Sequence, residues 1–130
     1  MLTLPSNVKL FLADSPTDFR KSFDGLAAIV ENEFGLRVLG GHVFVFLNRR
    51  GNQIKLLFWE RDGLCLVAKR LEAGTFRRIR REGCTAAHIE IDATELVFLL
   101  EGIEAQKIKR RKRYVGGQKN VSNGMAEYAI

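Results

Sequence analysis

The sequence predicts an α+β fold in a single domain: an antiparallel β-meander of about four to five strands packed against an N-terminal amphipathic helix, followed by a short C-terminal helix and a basic tail. Three observations lead there. Phe19, Phe23, Leu26, Val30 and Phe34 recur at spacings of four, three, four and four, which gathers them on one helix face. Three apolar runs, at 43–47, 54–60 and 64–70, are separated by short polar segments that carry glycine, as consecutive hairpins require. The 130 residues are 46% hydrophobic and include nine Phe, enough for one buried core without disulfide staples.

Taken in order, residues 8–13 read as a short strand. Asp14, Ser15, Pro16, Thr17 and Asp18 then predict a helix start, with Ser15 as N-cap, Pro16 at the first helical position and Asp18 near the positive end of the helix. The helix is expected to reach Phe34 and stop at Gly35. Of the three hairpin strands, the first is apolar on both faces and is expected to be the most buried. In the second, Ile54, Leu56 and Phe58 share one face while Lys55, Leu57 and Trp59 share the other. Residues 74–83 alternate imperfectly and read as an edge strand or a loop. A short strand at 88–92 follows, and Asp92 with Glu95 three residues on predicts an N-cap and a helix through about Leu100, ended by Gly102. The domain is drawn over residues 1–106. Residues 107–130 form the tail, whose glycines and asparagines predict disorder or capture by a partner.

Charge is distributed unevenly. Residues 1–106 hold 14 Lys/Arg against 14 Asp/Glu, whereas 107–130 hold seven against one and supply the whole net charge of +6. Within the body, residues 49–81 count ten basic and three acidic side chains, and 82–106 count six acidic and no basic ones. A neutral body with a basic arm points to a polyanionic partner.

No catalytic residue is assigned. Asp14 and Asp18 are accounted for as helix-start residues, Asp24 sits inside the same helix, and His42 and His88 lack a Cys or His at ligand spacing, so no metal site and no cofactor are expected. No Gly-x-Ser-x-Gly elbow or phosphate-binding glycine loop is present. Cys65 and Cys84 read as reduced, buried thiols of a cytoplasmic protein, and no apolar run is long enough to enter a membrane.

The candidate binding residues are cations. Arg49 and Arg50 fall at a hairpin tip, from which two guanidinium groups reach phosphates without desolvating the core, although such a tip also serves as a soluble turn. Lys55 lies on the middle strand. Lys69, Arg70, Arg77, Arg78, Arg80 and Arg81 place six charges in thirteen residues. Such density calls for an anionic surface, either DNA or the protein's own acidic 82–106 segment. In the tail, Lys107, Lys109, Arg110, Arg111, Lys112 and Arg113 favour phosphate backbone over particular bases. Trp59 reads as a core residue, with base stacking as the alternative.

The order of these residues carries a resemblance. The segments Asp18-Phe19-Arg20-Lys21-Ser22-Phe23-Asp24-Gly25-Leu26 and Gly41-His42-Val43-Phe44-Val45-Phe46-Leu47-Asn48-Arg49-Arg50 lead, followed by Ile54-Lys55, Trp59, Gly63-Leu64 and Lys69-Arg70-Leu71-Glu72-Ala73-Gly74-Thr75-Phe76. Together with Leu96 to Ile103 they resemble the small accessory protein of the bacterial insertion sequence sixty-six family, the TnpB or Orf-two-like protein. The likeness spans about residues 4–104. It implies a protein of a mobile element that acts with a second accessory protein beside a larger transposase. It also implies motif positions without assigned roles at Asp18, Arg20, Asp24, Asn48 and Trp59, as well as at Arg49, Arg50, Lys55, Lys69 and Arg70. The expected function is therefore a non-catalytic accessory factor for transposition that contacts DNA through its basic hairpin, Arg-rich segment and tail. The alternative is an adaptor that binds the transposase through the same surface.

Overall fold

The computed structural model describes residues 7–81, 83, 86–104 and 109–110. They form an α+β domain around a five-stranded mixed sheet. Strand β1 (Leu10–Ala13) leads through a crossover containing helix α1 (Phe23–Ala28) to β2 (Val43–Leu47). Strands β3 (Gln53–Glu60) and β4 (Gly63–Arg70) follow as hairpins, then β5 (His88–Ile91) and helix α2 (Ala93–Glu101). A small second sheet pairs β6 (Ile103–Glu104) with β7 (Lys109–Arg110). The main sheet has the order β4-β3-β2-β1-β5.

The β2-β3-β4 meander agrees with the sequence reading. The sheet as a whole is not an antiparallel meander, because β1 lies parallel to β2, with Leu10 beside Val43 and Leu12 beside Val45. Parallel neighbours need a crossover, and residues 14–42 supply one that carries a helix. β5 then adds antiparallel to the other side of β1. This placement makes β2 an interior strand with all five residues buried.

Period-two alternation divides the core into two layers. On one face Leu10, Leu12, Val43, Val45, Leu47, Ile54 and Leu56 meet Leu96 and Leu99 of α2, with Leu71 and Phe76 of the loop that follows β4. On the other, Phe11, Phe44, Phe46 and Leu57 meet Leu26, Ile29, Val30 and Phe34 of the crossover helix. There Phe44 stacks on Phe11 at 5.8 Å between centroids, and Phe46 stacks on Phe34 at 6.0 Å.

The helix begins at Phe23, with Ser22 as its N-cap residue, so the expected start at Ser15 is corrected. Local bonding explains the delay. The Asp18 carboxylate accepts from the Arg20 backbone N–H at 3.0 Å, and the Lys21 N–H donates to the Asp18 carbonyl at 3.1 Å, closing a turn. The Lys55 ammonium, reaching from β3, donates to the Phe19 and Lys21 carbonyls at 3.2 and 2.9 Å. A longer helix would have used those carbonyls internally. Phe19 therefore precedes the helix, half-buried beneath the Lys55 ammonium, and Phe23 is exposed. From Ile29 to Phe34 the helix widens into a π-helix, which ends at Gly35 in the left-handed region.

Helix α2 starts and ends where the sequence places it. Asp92 accepts from the Glu95 N–H at 2.7 Å while Glu95 accepts from the Asp92 N–H at 3.0 Å, a complete capping box, and Gly102 closes the other end. Replacing Asp92 with alanine is expected to cost about 1 kcal/mol of stability, measured by urea denaturation, because an orphan helix donor loses its acceptor.

Residues 74–83, read as edge strand or loop, contain no strand among those described. The Phe76 N–H donates to the Gly51 carbonyl at 2.7 Å and the Leu71 N–H to the Asn52 carbonyl at 2.7 Å, which ties this loop to the β2–β3 turn. Cys65 is a half-buried residue of the edge strand β4 and not the interior residue expected. Burial and the neighbouring Glu60 carboxylate push its thiol pKa up. Cys84 and the domain boundary at residue 106 lie outside the described residues.

Candidate functional site

Six cations of the 49–78 region, Arg49, Arg50, Lys69, Arg70, Arg77 and Arg78, converge on one end of the sheet, while Arg61 lies in the β3–β4 turn at the other. The β2–β3 turn is organised by Asn48, whose amide donates to the Asn52 side chain at 2.8 Å and whose side-chain oxygen accepts from the Gln53 N–H at 3.0 Å. Gly51 completes the turn with φ 77°, a conformation that strains any residue with a Cβ. This frame holds Arg49 and Arg50 in solvent, and neither makes an ion pair or side-chain hydrogen bond among the described residues.

Antiparallel register brings Lys69 and Arg70 alongside. Lys69 pairs with Ile54 and Arg70 with Gln53, the first residues of β3 beyond the turn. Lys69 is exposed and makes no ion pair among the described residues, while Arg70 meets Glu72 at 3.2 Å with both side chains more than half exposed. Exposed pairs of this kind hold weakly and exchange readily for another anion. The tethered loop adds exposed Arg77, and half-buried Arg78 donates to the Asp14 carbonyl at 3.5 Å at the end of β1. Burial, and then the charge of Arg80, lower the pKa of Arg78 from its ordinary value.

The remaining candidates sit elsewhere. The Lys55 ammonium is engaged with the Phe19 and Lys21 carbonyls and lies 4.7 Å from the Phe19 ring centroid, which gives it a structural task in closing the crossover. Arg80 is exposed and makes no ion pair among the described residues. Arg81 crosses to α2, donating to Glu95 at 2.8 Å and to the Glu90 carbonyl at 3.1 Å, and this hydrogen bond holds the Glu95 carboxyl below its usual range. Internal neutralisation by the acidic segment is thus realised at Arg81. Lys109 and Arg110 lie on β7, and Lys107, Arg111, Lys112 and Arg113 lie outside the described residues.

The motif positions acquire local roles. Asn48 shapes the turn. Asp18 and Arg20 bind each other, Arg20 donating through Nη2 at 2.6 Å, on an exposed surface. That bond holds the Asp18 carboxyl down at about 2 instead of 3.8. A depressed carboxyl contributes its stabilisation fully above the ordinary value and loses it as pH falls through the folded one. The pair is therefore expected to stay intact from neutral pH down to about pH 2, with an NMR titration midpoint of the Asp18 carboxyl near that value. Asp24 is exposed in the first turn of α1. Trp59, read as a core residue, is half-buried opposite Leu64 and joins neither core layer. The loop tether at Gly51, Asn52, Leu71 and Phe76 escaped sequence reasoning, since backbone groups make it and no side-chain pattern announces it.

Among the described residues no three His, Cys, Asp or Glu side chains gather where they could hold a metal ion. No helix there is long and apolar enough to cross a membrane.

Comparison with known proteins places the chain among proteins associated with insertion sequences. Residues 8–110 match the family model described as IS66 Orf2 like protein, and the chain belongs to that family. Two curated relatives come from Sinorhizobium fredii. Uncharacterized protein y4hO is 36% identical over 104 residues, covering 80% of this chain and 88% of that protein. Uncharacterized protein y4jC is 27% identical over 105 residues, covering 80% and 86%. No solved structure matches.

Proposed function

We propose that this protein is a non-catalytic accessory factor of transposition that contacts the phosphate backbone of DNA through the cationic end of its sheet. One observation carries the proposal. Arg49 and Arg50 are presented on a turn braced by Asn48 and Gly51, beside Lys69 and Arg70, and have no carboxylate partner among the described residues. Guanidinium groups presented in this way keep their donors available for phosphate oxygens, and the braced backbone of the turn needs no further ordering on binding. The contacts supply affinity and position without sequence information, which suits a protein that works beside a transposase.

The test is duplex binding by the full chain across a salt series. Affinity is expected to fall on a log-log plot with a slope of about −0.9 for each phosphate neutralised. Duplex binding at low salt no stronger than that of a neutral control protein overturns the proposal. Capture of the element's transposase that survives nuclease treatment, and that disappears on charge reversal at Arg49 and Arg50 while duplex binding is unchanged, establishes instead an adaptor using the same surface.

A further inference from the structure

The two edges of the main sheet are treated differently. Strand β5 is four residues long, and its outward edge is blocked by Arg81, whose guanidinium donates to the Glu90 carbonyl at 3.1 Å. Strand β4 is eight residues long, contains no proline, and among the described residues has no strand or side chain bonded along its outer edge. Its run Leu64-Cys65-Leu66-Val67-Ala68 is apolar throughout, with Val67 49% exposed. Edges of this length and character pair with another strand unless something prevents it.

We propose that two copies of this chain join antiparallel along β4 and make one continuous sheet. The backbone fixes which groups are available. The Asn48 N–H bonds to the Gln53 carbonyl, so alternation along β3 turns Ile54, Leu56, Phe58 and Glu60 toward β4. Their partners Lys69, Val67, Cys65 and Gly63 are thereby satisfied, and the N–H and C=O groups of Leu64, Leu66 and Ala68 point outward. A twofold axis at Leu66 sets Leu66 against Leu66 and Leu64 against Ala68 of the second copy, with about six backbone hydrogen bonds across the junction.

Charge favours an antiparallel second copy. The Glu60-Arg61-Asp62 segment that leads into β4 carries one net negative charge, and the strand ends in Lys69 and Arg70. An antiparallel copy brings Arg70 opposite Asp62. Shifting the axis by one residue, to Cys65, carries Arg70 on to Glu60 but brings Lys69 to Arg61, and shifting it to Val67 sets Arg70 against Leu64. The same register puts Cys65 directly across from Val67 of the second copy.

The experiment uses the full chain, cleared of nucleic acid by nuclease and kept in salt high enough to abolish phosphate contacts, so its outcome is independent of DNA binding. Sedimentation equilibrium is expected to give twice the chain mass. Ala68→Pro removes an outward N–H without touching the β3 pairing and is expected to weaken association by about tenfold or more. In a Cys84→Ser background, Val67→Cys is expected to yield a covalent dimer on mild oxidation, and Cys65→Ser abolishes it. This readout stands even if the proline variant fails to fold. A chain that stays monomeric at the highest concentration overturns the proposal, as happens if its own C-terminal residues cover the edge. So does a dimer that neither responds to Ala68→Pro nor cross-links between positions 65 and 67.

Discussion

Reversing Arg49 and Arg50 together to glutamate is expected to lower affinity for duplex DNA roughly a hundredfold at low salt and to flatten the log-log salt slope by about two. Two phosphate contacts are lost and two repulsions replace them at the same rigid turn. The fold is expected to survive, because neither side chain makes an ion pair or hydrogen bond among the described residues and both are exposed. Far-ultraviolet circular dichroism and urea midpoints superimposable on those of the parent protein check that the loss is local. Lys9→Glu serves as the control, since Lys9 precedes β1 at the opposite end of the sheet. The comparison with Lys9→Glu is made at about 0.15 M salt, where a Debye length of about 8 Å leaves its charge little influence on a phosphate at the β2–β3 turn. An equal loss from Lys9→Glu implicates net charge in place of a site.

The largest expected effect on stability is that of Phe44→Ala. Phe44 lies on an interior strand, is fully buried, stacks on Phe11 and meets Phe34 at 6.4 Å. Removing the ring leaves a void bounded by the sheet on one side and the crossover helix on the other, neither of which is free to collapse. Losses of about 3–5 kcal/mol are expected, a large part of the stability of a domain this size. The measurement is the shift in free energy of unfolding from urea titrations. A value below about 1 kcal/mol would show that the aromatic layer repacks, contrary to close packing.

Much of this architecture is legible in the residues. The hairpin strands, the burial of β2, the stop at Gly35 and the Asp92–Glu95 cap follow from alternation, apolar runs and cap chemistry. The start of α1 does not, because Asp18 satisfies a turn as well as it satisfies a helix, and the deciding contact comes from Lys55, more than thirty residues away. The parallel placement of β1 is likewise settled by which strand edges remain after the hairpins form, a property of the assembled sheet. At the candidate site the hairpin tip and its two arginines are readable. Their union with Arg77 and Arg78 is not, since it depends on backbone bonds from Leu71 and Phe76. Lys55 illustrates the reverse case, a cation whose charge alone marks it for a ligand and whose surroundings give it to the protein's own carbonyls.

Strand β1 occupies an interior position whose two flanks are filled by residues 43–45 and 88–91. During synthesis its first flank closes early, but the second stays open until residues 88–91 have left the ribosome. Until then the sheet is an incomplete layer with this margin of β1 bare, and its final closure joins residues almost eighty positions apart. Topologies of this kind acquire their native order late, after translation of β5 and the helix that follows it.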